Sequence, residues 1–250
     1  MSFLEIVAVL GAGAAAGAIN TIVGSGTLIT FPVLLAFGYA PVIANVSNTV
    51  GLVPGSLAGA VGYRQELRGQ AGRALPLAVA SLVGAIAGAV ALLTLPASAF
   101  KAIVPVFITI ALILIVLQPT LSRTLATHRP RARERAGPVA TGAVVASGVY
   151  GGYFGAAQGI MLLSILGLAL DDDLQRINAL KVVLAGLVNL VAGVVFVIAA
   201  HIAWLPAGLI AVGSTIGGVV GAHAGRRLPE WALRVVIVGV GIAAIVKLLA

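Results

Sequence analysis

The sequence predicts an all-α polytopic membrane protein made of two inverted repeats, each of about five helical segments: four full spans and one short glycine-flanked segment. Three observations carry that prediction. Apolar residues make up 60% of the chain and charged residues 9%, with a mean hydropathy of +1.15, so the solvent is lipid. The long apolar runs call for helices, because in lipid each backbone amide needs a partner within its own segment or a closed barrel. The chain also matches itself when slid by 133 positions: Gly26 falls on Gly159, Asn45 on Asn178, Gly84 on Gly217, Gly88 on Gly221 and Leu95-Pro96 on Leu228-Pro229. That register predicts a duplication without a gap. Finally, the basic residues gather in a few loops whose charge bias swaps between the halves.

The apolar stretches run over 3–20, 26–38, 42–62, 75–94 and 98–118 in the first half, and over 138–154, 159–170, 174–200, 205–224 and 230–249 in the second. No Lys or Arg precedes the first run, and no cleavage site leads into a polar mature chain, so the first run is read as a retained helix. Crossing the hydrocarbon takes about 20 helical residues. The segments 26–38 and 159–170 are therefore half-helices or thinned crossings, entered through the breaks Gly24-Ser25-Gly26-Thr27 and Gly155-Ala156-Ala157-Gln158-Gly159. The domain division is a first repeat over 1–118, a basic linker over 119–137 and a second repeat over 138–250.

Parity follows from charge. With an odd number of crossings per repeat, the loops 63–74, 119–137, 171–176 and 225–229 share one face, which collects Arg64, Arg68, Arg73, the linker arginines, Arg176, Arg226 and Arg227. Basic loops stay in the cytoplasm, which puts the linker inside and both termini outside. The basic loop from Tyr63 to Arg73 has a non-basic counterpart at 196–206, and equivalent loops of opposite bias indicate opposite orientation. The same placement reads the net charge of +8 as a topology signal, with no nucleic-acid partner. Gly213, Gly217, Gly221 and Gly225, with Gly84 and Gly88 and with Gly55 and Gly59, form stripes at which helices pack inside the bundle.

Much chemistry is excluded. The chain has no Cys, and His128, His201 and His223 lack ligand spacing, so no metal or cofactor is expected. No phosphate-binding loop of the Walker type is present. The run Asp171 to Asp173 reads as a charge cap on the following helix.

Polar residues inside spans are costly and are functional candidates by default. The first half offers Asn20, Gly24, Ser25, Gly26, Thr27, Asn45 and Asn48, and the second Gln158, Gly159, Asn178 and Lys181. They fall at matching places, Asn45 with Asn178, Asn48 with Lys181, Ser25 with Gln158 and Ser56 with Asn189. Duplicate polar clusters beside two helix breaks describe one shared pocket near a pseudo-twofold axis, where free half-helix N–H groups suit an anion. No carboxylate is expected at the membrane centre: the Glu residues are Glu5, Glu66, Glu134 and Glu230, all near span ends. Lys181 either snorkels or pairs with Asp172 or Asp173, or is the cationic anchor of the pocket. Lys101, Arg234, Trp204, Trp231, His201 and His223 read as interfacial residues.

Residues 17–32, GAINTIVGSGTLITFP, followed by Ala44-Asn45-Val46-Ser47-Asn48-Thr49, resemble the sulfite exporter TauE/SafE family of membrane permeases, and so do Asn178-Ala179-Leu180-Lys181 and Arg227-Leu228-Pro229 in the second half. Ser25, Thr27, Ala157 and Gln158 stand where that family often has further glycines. The resemblance implies a multi-pass protein of a bacterial inner membrane that moves small organosulfur anions such as sulfite, sulfoacetate or other sulfonates. With the residue reading, it implies a secondary transporter working by alternating access around a central anion site. Coupling is to a proton or sodium ion, or to the substrate gradient and membrane potential. A passive anion channel is the alternative, and a membrane-embedded enzyme the more distant one.

Overall fold

The computed structural model describes residues 1–127 and 136–224, with Val238, Gly239, Ile242, Ile245 and Val246 beyond them. The segment 230–249, and with it Trp231 and Arg234, otherwise lies outside the described residues, as do Arg226 and Arg227. The helices are α1 (Phe3–Ile22), α2 (Thr27–Ala36), α3 (Pro41–Gly62), α4 (Ala71–Thr94), α5 (Ala97–Thr127), α6 (Pro138–Tyr153), α7 (Gln158–Ala169), α8 (Leu174–Ala199) and α9 (Trp204–Ala224). Each matches a predicted segment. Two boundaries differ: α4 starts at Ala71 and takes in Arg73, and α5 runs through Pro119 to Thr127, into the stretch expected to be linker. Proline removes one N–H donor but need not end a helix whose other carbonyls stay paired.

Among the described residues, five helices, α1, α4, α5, α8 and α9, are long and apolar enough to cross a membrane. The protein is thus a multi-pass membrane protein. α3 has the length, 22 residues, but carries Asn45, Ser47, Asn48, Thr49 and Ser56 on its buried side, and that polar load lowers its hydropathy. α2 and α7, at 10 and 12 residues, reach about half the depth of a bilayer. Lipid-facing positions show the expected periodicity: on α4 the exposed residues include Leu75, Val79, Leu82, Val83, Ile86 and Val90.

Packing exchanges the two halves. α1 packs on α9, and the repeat-equivalent α6 packs on α4. Small residues make both contacts, as required where lipid supplies no hydrophobic drive between helices. A Cβ at Gly217 would strike the Ala14 carbonyl, and one at Gly88 the Val149 carbonyl. The stripe at Gly213, Gly217 and Gly221 is therefore an intramolecular seam against α1, and Gly55 joins α3 to Ser214 of α9. α3 and α8, equivalent helices, pack on each other and run antiparallel: Gly59 lies by Val182, Ser56 by Gly186, and Val50 and Val53 by Gly193.

The two glycine turns depart from the register of 133 positions. Gly24 (φ +90°) ends α1 and Gly155 (φ +79°) ends α6 in the same left-handed turn, with Gly24 N donating to Ile19 O (2.9 Å) and Gly155 N to Tyr150 O (3.0 Å). Gly155 follows Gly24 by 131 positions, two fewer than the 133 that relate Asn45 to Asn178. Both breaks are equally long, since α2 starts three positions after Gly24 and α7 three after Gly155, and the two extra residues lie in α7, with 12 residues against 10 in α2; Ala157, just before α7, adopts a positive φ of 59°. Glycine is needed at both turns because a Cβ disfavours that backbone region.

One end of the bundle is tied by polar contacts between the halves. Gln70 donates to Arg176 O (3.0 Å) and accepts from Arg73 (2.8 Å), Arg176 donates to Arg68 O (3.3 Å), and Asp172 pairs with both Arg73 and Arg176, the latter at 3.0 Å. The loops 63–70 and 170–173 thus lie at the same end. Burial of Asp172 opposes its charge, but the hydrogen bonds from Arg73 and Arg176 outweigh burial and hold its carboxyl below the usual range. Asp173 is the N-cap of α8, its carboxylate accepting from Gln175 N (3.0 Å), as read from the acidic triplet.

Candidate functional site

The first helix of each half ends at a glycine turn, and its last turn meets the other half. α1 ends at Ile22 and leaves C-terminal carbonyls without helical partners. Lys181 of α8 supplies one: its Nζ donates to Thr21 O (3.3 Å) and Ile22 O (3.4 Å). α6 ends at Tyr153, and there Asn45 of α3 donates from Nδ2 to Tyr153 O (2.9 Å). The broken ends are therefore capped across the repeat boundary, once by a cation and once by an amide. An ammonium complements the negative end of a helix dipole better than an amide does.

Lys181 is 0% exposed, so it does not snorkel. Nor does it pair with the acidic triplet: among the described residues the ion pairs are those of Asp172 with Arg73 and Arg176. When protonated, a buried amine held by carbonyl dipoles is suited to receive an anion.

The two glycine breaks touch. Gly159 N donates to Gly24 O (3.0 Å), and a Cβ on either residue would run into the other's Cα. In this conformation the first N–H groups of α7 are engaged: Gln158 N bonds Gly155 O (3.2 Å), Gly159 N bonds Gly24 O, and Ile160 N bonds Ala157 O (3.0 Å). Gly26 faces the Ala16 carbonyl, so its missing side chain serves the approach of α2 to α1. The fully buried Asn48 ties the first turn of α2 to α3, donating to Thr27 Oγ1 (3.3 Å) and accepting from Thr30 Oγ1. Thr30 is absent from the sequence-derived set, although its spacing of three from Thr27 places it on the same face of α2. Gln158 folds over Gly151 and donates to Ser147 O (3.1 Å).

Ser25 Oγ in the first break, Asn45 Oδ1 on α3 and Asn178 Oδ1, three residues before Lys181 on α8, are buried without a hydrogen-bond partner. Each such atom costs about 1–3 kcal/mol and marks a place fit for a polar ligand. A third polar contact lies at the crossing of α3 and α8. Ser56 Oγ donates to Leu52 O (3.0 Å) and accepts from Asn20 Nδ2 and Asn189 Nδ2, both at 3.3 Å. An aromatic cluster of Phe31, Phe100, Phe107, Tyr150, Tyr153 and Phe154 covers the broken end of α6. The equivalent places around α1 hold Ile19, Ile22 and Val23, so the two broken ends are sealed differently. No group of metal-ligating side chains occurs among the described residues.

The family model "Sulfite exporter TauE/SafE" matches residues 9–248. The chain belongs to the TauE/SafE family. Its curated relatives include the probable membrane transporter protein YfcA of Escherichia coli strain K12, 25% identical over 94% of this chain and 86% of that one. Another is the probable membrane transporter protein ORF9 of a Sinorhizobium species, 28% identical over 94% of this chain and 88% of the relative. No solved structure matches. As a TauE/SafE member the chain is a membrane transporter of the permease type, with the multi-pass helical architecture described above.

Proposed function

We propose that this TauE/SafE protein is a secondary transporter of small organosulfur anions, sulfite, sulfoacetate or other sulfonates, that alternates access between two inverted halves in a bacterial inner membrane. The observation that carries the reading is the fully buried Lys181 at the end of α1, whose amine donates to the carbonyls of Thr21 and Ile22 and forms no ion pair with a carboxylate among the described residues. An anion entering between the halves takes over that ammonium and releases the last turn of α1, so that binding and rearrangement are the same event. The site is formed by Lys181 with Asn20, Gly24, Ser25, Gly26, Thr27, Asn45, Asn48, Gln158, Gly159 and Asn178. Inversion of the repeats is supported by the antiparallel packing of α3 and α8, by the exchanged packing of α1 on α9 and α6 on α4, and by the swapped charge bias of equivalent loops. The bacterial sources of the relatives support the membrane assignment. The driving force is a proton or sodium gradient, or the substrate gradient with the membrane potential.

The test is flux of sulfite and sulfoacetate in liposomes containing the purified protein. Saturable uptake with counterflow is expected. Flux without saturation or counterflow would make the protein an anion channel, and no flux of either anion would overturn the substrate class.

A further inference from the structure

The contact between Ser56 and Asn189 joins a residue to its own repeat mate, 133 positions away. A twofold operation places equivalent atoms on opposite sides of its axis, so mates in hydrogen-bond contact flank that axis closely. If the halves are inverted, the axis lies in the membrane plane at mid-depth, and this crossing is equally far from both faces. At the glycine breaks, by contrast, backbone is packed on backbone, and the α7 N–H groups named above are taken.

The hydrogen bonding at the crossing has a fixed sense. Ser56 gives its only proton to Leu52 O, so its oxygen can only accept. Both amides must then point N–H inward, from Asn20 of α1 and Asn189 of α8. Each amide keeps a second N–H. Ser56 is 4% exposed, whereas Asn20 and Asn189 are partly exposed, and partly exposed amides inside a span face water in preference to lipid because of their desolvation cost. Lys181 flanks the same last turn of α1: it bonds the carbonyls of Thr21 and Ile22, next to Asn20.

We infer that Asn20, Ser56 and Asn189 form the central anion subsite, in which the two amides donate to anion oxygens, Ser56 holds them in that orientation, and Lys181 supplies the single countercharge. This rests on the anion-transport reading and adds to it Ser56 and Asn189. Neutral donors with one ammonium match a single negative charge, so the subsite selects a monoanionic sulfonate group over a dianion such as sulfate.

The test uses the full chain in liposomes, with sulfite uptake and competition by methanesulfonate and by sulfate. In the parent protein methanesulfonate is expected to compete at least tenfold better than sulfate. Asn189→Asp places a carboxylate at the subsite and should raise the half-saturating sulfite concentration at least tenfold. Ser56→Ala adds no charge and removes the hydroxyl that both amides bond, and should raise it about threefold to tenfold while narrowing the preference for methanesulfonate. The melting temperature of each purified variant separates loss of fold from loss of site. If parent protein transports sulfite and folded Ser56→Ala matches it in affinity and selectivity, the subsite is wrong while the transport reading stands. If the parent transports none of these anions, the transport reading itself fails.

Discussion

At the scale of single residues, Lys181 and Asp172 hold charge in opposite ways. Lys181 is shielded from solvent and, among the described residues, is held by the carbonyls that end α1 and by no carboxylate. Replacing it by Gln removes a charged hydrogen bond of about 1.5–3 kcal/mol and, on the proposed function, the countercharge for the anion. Lys181→Gln should lower the melting temperature of the empty protein and weaken sulfite binding at least tenfold. A thermal-shift titration reads both, and unchanged binding by the folded variant would reduce Lys181 to a helix cap. Asp172 lies outside the spans between Arg73 and Arg176. Its folded carboxyl titrates below its unfolded value, so its stabilisation is complete above the ordinary carboxylate range, near pH 4, and fades as pH falls through the lower folded value. Asp172→Asn should thus cost about 1 kcal/mol near neutrality, and the gap between the two proteins should close in acid. A gap that persisted below the carboxylate range would assign the effect to packing.

At the scale of elements, the breaks are defined by glycine acting in two distinct ways. Gly24 and Gly38 both have positive φ, +90° and +86°, yet a Cβ at Gly38 meets nothing within 4 Å while one at Gly24 strikes the backbone of Gly159. Gly38→Ala should cost only the left-handed strain of about 1–2 kcal/mol. Gly24→Ala adds a clash between two backbones that cannot yield, and should cost at least about 2 kcal/mol more. Gly159→Ala, struck from the same contact, should be destabilised as well. Denaturation of the three variants in one detergent gives the ranking, and equal losses for Gly24→Ala and Gly38→Ala would mean that the breaks separate readily. Among the described residues, the positions of α1 that correspond to the aromatic residues of α6 hold Ile19, Ile22 and Val23, so the two helix ends are packed unequally.

At the scale of the whole molecule, the sequence repeat is not a packing unit. The first helix of each half lies on the fourth helix of the other, and the equivalent helices α3 and α8 pack antiparallel. Loops 63–70 and 170–173 meet at one end, and α8 carries the chain from that end to the segment at His201. On the proposed topology the first end is cytoplasmic. The chain has no Cys, so single cysteines report cleanly: Arg64→Cys and Asp171→Cys should resist a membrane-impermeant maleimide in intact cells, while His201→Cys reacts. Labelling of all three from outside would refute the placement of these ends on opposite faces.

The sequence by itself determined the solvent, the helices and the places where they break, because each depends on local terms: apolar run length against bilayer thickness, glycine at a turn, and polar residues out of place in lipid. It also determined that matching polar residues recur in both halves. Which of them meet was decided only by tertiary structure. Asn48 bonds Thr27 and Thr30 within its own half, Asn45 and Lys181 cap helices of the other half, and Ser56 bonds its own mate Asn189. The two-residue offset between Gly155 and Gly24 was likewise hidden, since a register found from matching letters follows the longer stretch and passes over a turn whose backbone conformation alone reveals the equivalence. Hydrogen bonds in a bundle depend on helix rotation and crossing to within an ångström, and those are set by small-residue seams such as Gly217 on Ala14, contributed by segments some two hundred positions apart.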